Sequence, residues 1–244
     1  MKAIIFDLDG TLVQTEILKA SSYAKAATAL SPGFFEEDEV IEAFKEVVGL
    51  SRSEVAKVLL KRFGLEDAAK SRMKAFKVPT PWQAFVQLRM EAYEAMIFDP
   101  ETLRRHLCPH NAKLLRWAKH NGFLTGLATM SHCDQANRVL EILRLGNRFD
   151  FIVTRDDVAL GKPDPEIYTL VARELGVSAD ECLVIEDSAT GIRAALAAGM
   201  SCVAVTTEFT RTAVHESGLL DDRLIVDIPS ELPSVVEQLI DETI

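Results

Sequence analysis

Ala3-Ile4-Ile5-Phe6-Asp7-Leu8-Asp9-Gly10-Thr11-Leu12 decides the reading of this chain. Four consecutive apolar residues read as a short strand buried on both faces, the pattern of a parallel sheet. The strand runs straight into Asp7 and Asp9, two carboxylates two residues apart, then Gly10 and Thr11. An open α/β sheet builds its site at the C-terminal ends of its strands. One carboxylate there can attack an electrophile while its neighbour moves a proton. A strand followed by an Asx-Gly turn explains Asp9-Gly10 alone, not the full set.

From Asn111 onward, strand-like and helix-like segments alternate. Helices are expected over 111–120, 132–144 (Ser131 as N-cap, Asp134 three residues on), 165–175 and 190–198. Strands are expected over 123–129, 149–153, 182–186, 201–205 and 223–226. Such alternation predicts parallel strands joined by crossover helices. Residues 16–98 break the rhythm: 37–48, 53–63 and 82–96 carry apolar residues at helical spacing, and no strand pattern is visible. The expected fold is α/β, a Rossmann-like doubly wound parallel-sheet core from 1–15 and 99–244 with an all-helical domain inserted over 16–98. The basic stretch 67–81, ending Val78-Pro79-Thr80-Pro81, reads as a solvent-facing connection.

The formal net charge of −10 argues against binding nucleic-acid phosphates, which need a positive face. An anionic substrate must then be drawn by local charge. Cys108, Cys133, Cys182 and Cys202 have no metal-ligand spacing and read as reduced, buried residues. The five histidines have no ligand spacing either, and only His132, beside Ser131, is placed to reach a strand-end cleft. The first residues do not read as a signal peptide, and no apolar run approaches membrane-spanning length. The expectation is a cytoplasmic protein without nucleic-acid or membrane partners, a monomer by default.

The motif at Asp7-Leu8-Asp9-Gly10-Thr11 resembles motif one of the haloacid dehalogenase superfamily. Three further motifs of that superfamily follow in order at strand ends. The run 123–128 ends in Thr129, Gly161-Lys162-Pro163-Asp164-Pro165 precedes a helix, and Leu183-Val184-Ile185 runs into Glu186-Asp187-Ser188. The resemblance implies phosphoryl transfer through an aspartyl-phosphate on Asp7, with Asp9 as general acid and then base. Thr129 would bind the transferring phosphate together with Gly10 and Ser131, and Lys162 would offset the charge of Asp7 and its neighbours. Mg²⁺ would be held by Asp7, Asp9 (through its backbone carbonyl), Asp187 and Glu186, the last directly or through water. Asp187 doubles as a candidate N-cap for the helix through Ile192.

The inserted helices resemble the superfamily's cap, which closes over the site. Val48-Gly49-Leu50-Ser51-Arg52 is similar to the segment with which β-phosphoglucomutases and related sugar phosphatases grip substrate. In that subgroup the arginine matching Arg52 holds the phosphate that stays put, and Arg89, ahead of Tyr93, falls near another basic residue. Thr11 stands where the mutases have valine, Lys19 where they carry histidine, and Gln14 where the family usually has Asp or Asn. The expected function is a magnesium-dependent phosphatase of small phosphorylated metabolites, most of all sugar phosphates. A β-phosphoglucomutase is the nearest alternative. A phospho-acceptor signalling domain is a distant one, since it is about half this length and lacks the helical insertion.

Overall fold

The computed structural model describes residues 1–48 and 50–242, and the chain divides into two compact units, 1–14 with 103–244 and 15–102. In the first unit β1 (Ala3–Phe6) is fully buried, as its unbroken apolar run requires. After the second unit, described below, and a helix that spans the boundary, the chain continues through α7 (Pro109–His120), β2 (Leu124–Ala128), α8 (Cys133–Leu143) and β3 (Phe151–Val153). Then come α9 (Glu166–Leu175), β4 (Cys182–Glu186), α10 (Ala189–Ala197) and β5 (Ser201–Val205). The last elements are α11 (Arg211–Ser217), β6 (Ile225–Val226) and α12 (Leu232–Asp241).

The six strands form one parallel sheet in the order β3-β2-β1-β4-β5-β6. Phe6 pairs with Leu127 on one side and Ile185 on the other, so β1, β2 and β4 end at the same level. The chain leaves β1 in one direction and returns to its other side for β4, which makes β1 the point where strand order reverses. Side chains alternate across each strand. Ala3 and Ile5 of β1 and Cys182 and Val184 of β4 pack with Ile167, Val171 and Ile192 of α9 and α10 in a single core.

The second unit is helical: α1 (Thr15–Leu30), α2 (Glu37–Lys45), α3 (Arg52–Arg62), α4 (Glu66–Phe76) and α5 (Pro81–Ile97). Its end falls within the short helix α6 (Pro100–Arg105). Tyr23 of α1 packs against Phe44 and Phe85, at ring-centroid distances of 5.6 and 5.7 Å, joining α1, α2 and α5.

Four local readings need correction. The stretch 67–81 is no mere connection, because α4 occupies most of it. The N-cap of α8 is His132, because Ser131's hydroxyl is engaged elsewhere, as described below. Ser188, not Asp187, caps α10, its Oγ accepting from the Gly191 amide at 3.1 Å. Cys133 opens α8 on the solvent side and is exposed, whereas Cys108, Cys182 and Cys202 are buried.

Candidate active site

Asp7 follows β1, and its backbone N–H still donates to Ile185 of β4 at 3.0 Å. Its carboxylate is therefore held among strand ends. Lys162 Nζ donates to Asp7 Oδ1 at 2.6 Å, to Glu186 Oε1 at 2.6 Å and to the Ala128 carbonyl at 3.0 Å. An ammonium has three protons, so all are engaged. Lys162, Asp7 and Glu186 side chains are 6, 8 and 1 % exposed. Charges so buried persist only when paired and hydrogen-bonded. Burial alone would depress the Lys162 pKa, but Asp7 and Glu186 outweigh it and hold it above its ordinary value.

The two acids differ. Glu186 accepts from Lys162, from Tyr168 Oη at 2.7 Å, from the Asp187 and Ser188 amides at 3.0 and 3.1 Å, and from Ser188 Oγ at 3.0 Å. Burial pushes its pKa up, but Lys162 and this cage of donors bring it below the carboxylate norm. Among the described residues Asp7 has Lys162 but no such cage. Burial raises it to about 7, with Lys162 opposing and the nearby Glu186 and Asp9 adding to the rise.

Asp9 is tied to the end of β2. Its Oδ2 accepts from Ser131 Oγ at 2.6 Å and from Thr129 Oγ1 at 3.2 Å, while Thr129 Oγ1 accepts from the Ser131 amide at 3.0 Å. The loop that carries Asp9 is a tight turn: the Leu12 and Val13 amides donate to Leu8 O, and the Gly10 amide donates to Val13 O at 2.7 Å. Gly10 adopts φ +89°, and a Cβ there would lie 2.0 Å from Asp187 Oδ2. The motif's glycine thus lets Asp187 approach the loop.

Carboxylate oxygens of Asp7, Glu186 and Asp187 come within 4.8 Å of one another, all three residues buried. Lys162 offsets Asp7 and Glu186, and the ligand atoms of all three are hard oxygens. That donor set fits a magnesium ion, which takes carboxylate oxygen and keeps several waters. The Asp9 carboxylate is outside this group, committed to Ser131 and Thr129.

Arg52 and Arg89 lie in the helical unit. Arg52 is exposed in the first turn of α3, behind the N-cap Ser51. Gly49 of the same motif lies outside the described residues. Arg89 is 5 % exposed, its guanidinium 5.2 and 4.5 Å from the ring centroids of Tyr23 and Tyr93, and its Nε has no hydrogen-bond partner among the described residues.

Two residues around Glu186, Tyr168 and Gly191, escaped the sequence reading, and Ser188 was read as part of the acidic motif but given no role. A Cβ on Gly191 would fall 1.8 Å from Glu186 Oε1, so α10 can start over that carboxylate only with glycine there. The Gly191 in Ser188-Ala189-Thr190-Gly191, an early-helix glycine three residues after a capping serine, was the available signal.

Residues 1–199 match the model of the haloacid dehalogenase-like hydrolases. The chain is 30% identical to the phosphorylated carbohydrates phosphatase of Thermotoga maritima, over 82% of each chain. It is 31% identical to the β-phosphoglucomutase of Bacillus subtilis, over 84% of this chain and 83% of that one. Among solved structures, a variant of CbbY from Rhodobacter sphaeroides in complex with xylulose-(1,5)bisphosphate superposes with a TM-score of 0.65 at 27% identity, over 95% of this chain and 96% of that one. With its four motifs gathered at the ends of β1, β2 and β4, this chain belongs to the haloacid dehalogenase-like hydrolases.

Proposed function

We propose that this chain is a magnesium-dependent phosphatase of small sugar phosphates that works through an aspartyl-phosphate on Asp7. The observation that carries this reading is the buried Asp7–Lys162–Glu186 triad, with Asp187 beside it and Asp9 held by Ser131 and Thr129. The names of the relatives support the substrate class: one acts on phosphorylated carbohydrates, and another binds a sugar bisphosphate.

An oxygen of Asp7 attacks phosphorus, and the bond from phosphorus to the sugar oxygen breaks. Asp9 gives its proton to that departing oxygen. A water then attacks the same phosphorus, Asp9 takes its proton, and the Asp7–phosphorus bond breaks to release phosphate and restore the carboxylate. Thr129, Ser131 and the Gly10 loop orient the phosphoryl oxygens, and Lys162 keeps the charge of Asp7 and phosphate partly neutralised. Asp7 and Asp187 would hold the magnesium ion, with the Asp9 carbonyl and Glu186 in support. The ion would neutralise phosphate charge in a site otherwise rich in carboxylates.

Turnover of p-nitrophenyl phosphate with magnesium and with EDTA tests the class, and a panel of sugar phosphates tests the substrate. Turnover indifferent to chelator would overturn the metal assignment. Absence of any turnover with intact Asp7 would overturn the enzyme reading.

A further inference from the structure

Tyr168 is fully buried in the first turn of α9 and closely follows Lys162 in the chain. Its hydroxyl donates to Glu186 Oε1 at 2.7 Å, the same oxygen that accepts from Lys162 Nζ at 2.6 Å. An ionised carboxylate only accepts, so the phenol is committed as a donor. The ring is engaged as well: Lys162 Nζ lies 4.9 Å from its centroid, within reach of a cation–π attraction. One side chain thus touches both members of the Lys162–Glu186 ion pair.

A carboxylate oxygen offers about two lone-pair sites, and Lys162 and Tyr168 fill those of Oε1. Oε2 is taken by the Asp187 and Ser188 amides and by Ser188 Oγ. Glu186 is therefore saturated, and its orientation is fixed. The ammonium is shared between this oxygen, Asp7 Oδ1 at 2.6 Å and the Ala128 carbonyl at 3.0 Å. How it is shared depends on how strongly each acceptor pulls. A phenol on Oε1 takes up part of the charge that Lys162 would otherwise meet there. Without that phenol, Glu186 becomes the stronger acceptor and draws Lys162 off Asp7. Buried bonds respond strongly to such a change, because no water competes for them.

We propose that Tyr168 is a positioning residue for the phosphoryl site: its hydroxyl and ring hold Lys162 balanced between Glu186 and Asp7. Only the kinetic consequence rests on the phosphatase reading, in which Lys162 offsets the charge of Asp7 and of the phosphate.

Tyr168→Phe tests this, because it deletes the hydroxyl and keeps the ring in the core. In a crystal structure of the variant, Lys162 Nζ should lie farther from Asp7 Oδ1 than about 3.2 Å, the outer limit of an N–H···O bond. With p-nitrophenyl phosphate, kcat and kcat/KM should fall together by about 10- to 100-fold while KM holds, the mark of a misplaced group that acts in the transition state. Far-UV circular dichroism should match the wild type. Lys162 unmoved, a raised KM with kcat intact, or unchanged turnover would overturn the proposal. A variant that does not fold would make Tyr168 a core residue only and would overturn it equally. A wild type without turnover on any phosphate ester would sink the phosphatase reading instead, and the Lys162–Asp7 distance in the variant would still decide the role of Tyr168.

Discussion

Asp7 and Glu186 share one lysine, yet their surroundings divide their protons unequally. The cage around Glu186 keeps it ionised, whereas burial lets Asp7 hold a proton up to about pH 7 when no cation is bound. A raised carboxylate pKa means the native state binds more protons than the unfolded chain between the ordinary value of 3.8 and about 7. Over that window, Asp7 makes the metal-free protein lose stability as pH rises, and metal should restore it. Proton and metal also compete for the same oxygens. Calorimetry should therefore show magnesium affinity falling about tenfold per pH unit below 7 and levelling above it. An affinity flat from pH 5.5 to 8 would place the proton elsewhere. Asp7→Asn, nearly isosteric but unable to attack phosphorus, should leave the thermal melt intact and reduce turnover below about one percent. Gly191→Ala should push Glu186 off Lys162 and cost about 100-fold in kcat, the usual penalty for a misplacement of ~1 Å. A crystal structure of that variant with Glu186 unmoved would refute this cause. At this scale the strand-end acids were legible, because a polar residue closing a buried apolar run stands out, and Lys162 was legible through the likeness of Gly161–Pro165 to a superfamily motif. Gly191 and Tyr168 were not, because their roles depend on how closely a helix approaches a strand, which periodicity does not record.

Elements were legible in proportion to their burial. β1, β2, β4 and β5 lie within a sheet covered on both sides, so each reads as an apolar run, and 182–186 and 201–205 match their expected limits. β3 is an edge strand and is two residues shorter than read, starting at Phe151, because Gly146–Arg148 forms a 3₁₀ turn just before it. In the helical unit, α4 buries only Ala69 fully, so Glu66–Phe76 offers no apolar stripe to find. Helix α1 was missed for a different reason. Its buried face includes Ala20, Ser22, Ala24, Ala26 and Ala27, small residues that carry little hydrophobic contrast. Helix α4 ends at Lys77 in the left-handed conformation, at φ +54°. A side chain there is strained by about 1–2 kcal/mol, part of which glycine's greater unfolded-state entropy returns. Lys77→Gly should then stabilise the protein by roughly 0.5–1 kcal/mol, read from denaturant melts at constant m-value. Ser188→Ala should act in the opposite sense. It removes the N-cap of α10, at about 1 kcal/mol, together with one donor to Glu186, so stability and kcat should fall together.

Across the whole molecule a net charge of −10 opposes an anionic substrate, so attraction has to be local. In the α/β unit Lys162 beside Asp7 is already bound to two carboxylates. In the helical unit the charges are placed differently: Lys19 pairs with Glu16 at 2.5 Å, Arg89 is stacked between two tyrosines, and Arg52 is exposed. An arginine holding a second phosphate should contribute about 2–4 kcal/mol when its partner is buried, or about 30- to 1,000-fold in kcat/KM. Arg52→Ala should lower kcat/KM by that factor for a sugar bisphosphate and leave p-nitrophenyl phosphate almost unchanged, since the latter offers the guanidinium nothing to hold. An equal fall for both substrates would make Arg52 structural or part of the phosphoryl site. No change for either would leave it a solvated surface arginine in the first turn of α3. The same assay, run with β-glucose 1-phosphate and glucose 1,6-bisphosphate, separates hydrolysis from mutase chemistry by its product. Thr11 and Lys19 stand where the mutases have valine and histidine, so free phosphate rather than glucose 6-phosphate should accumulate.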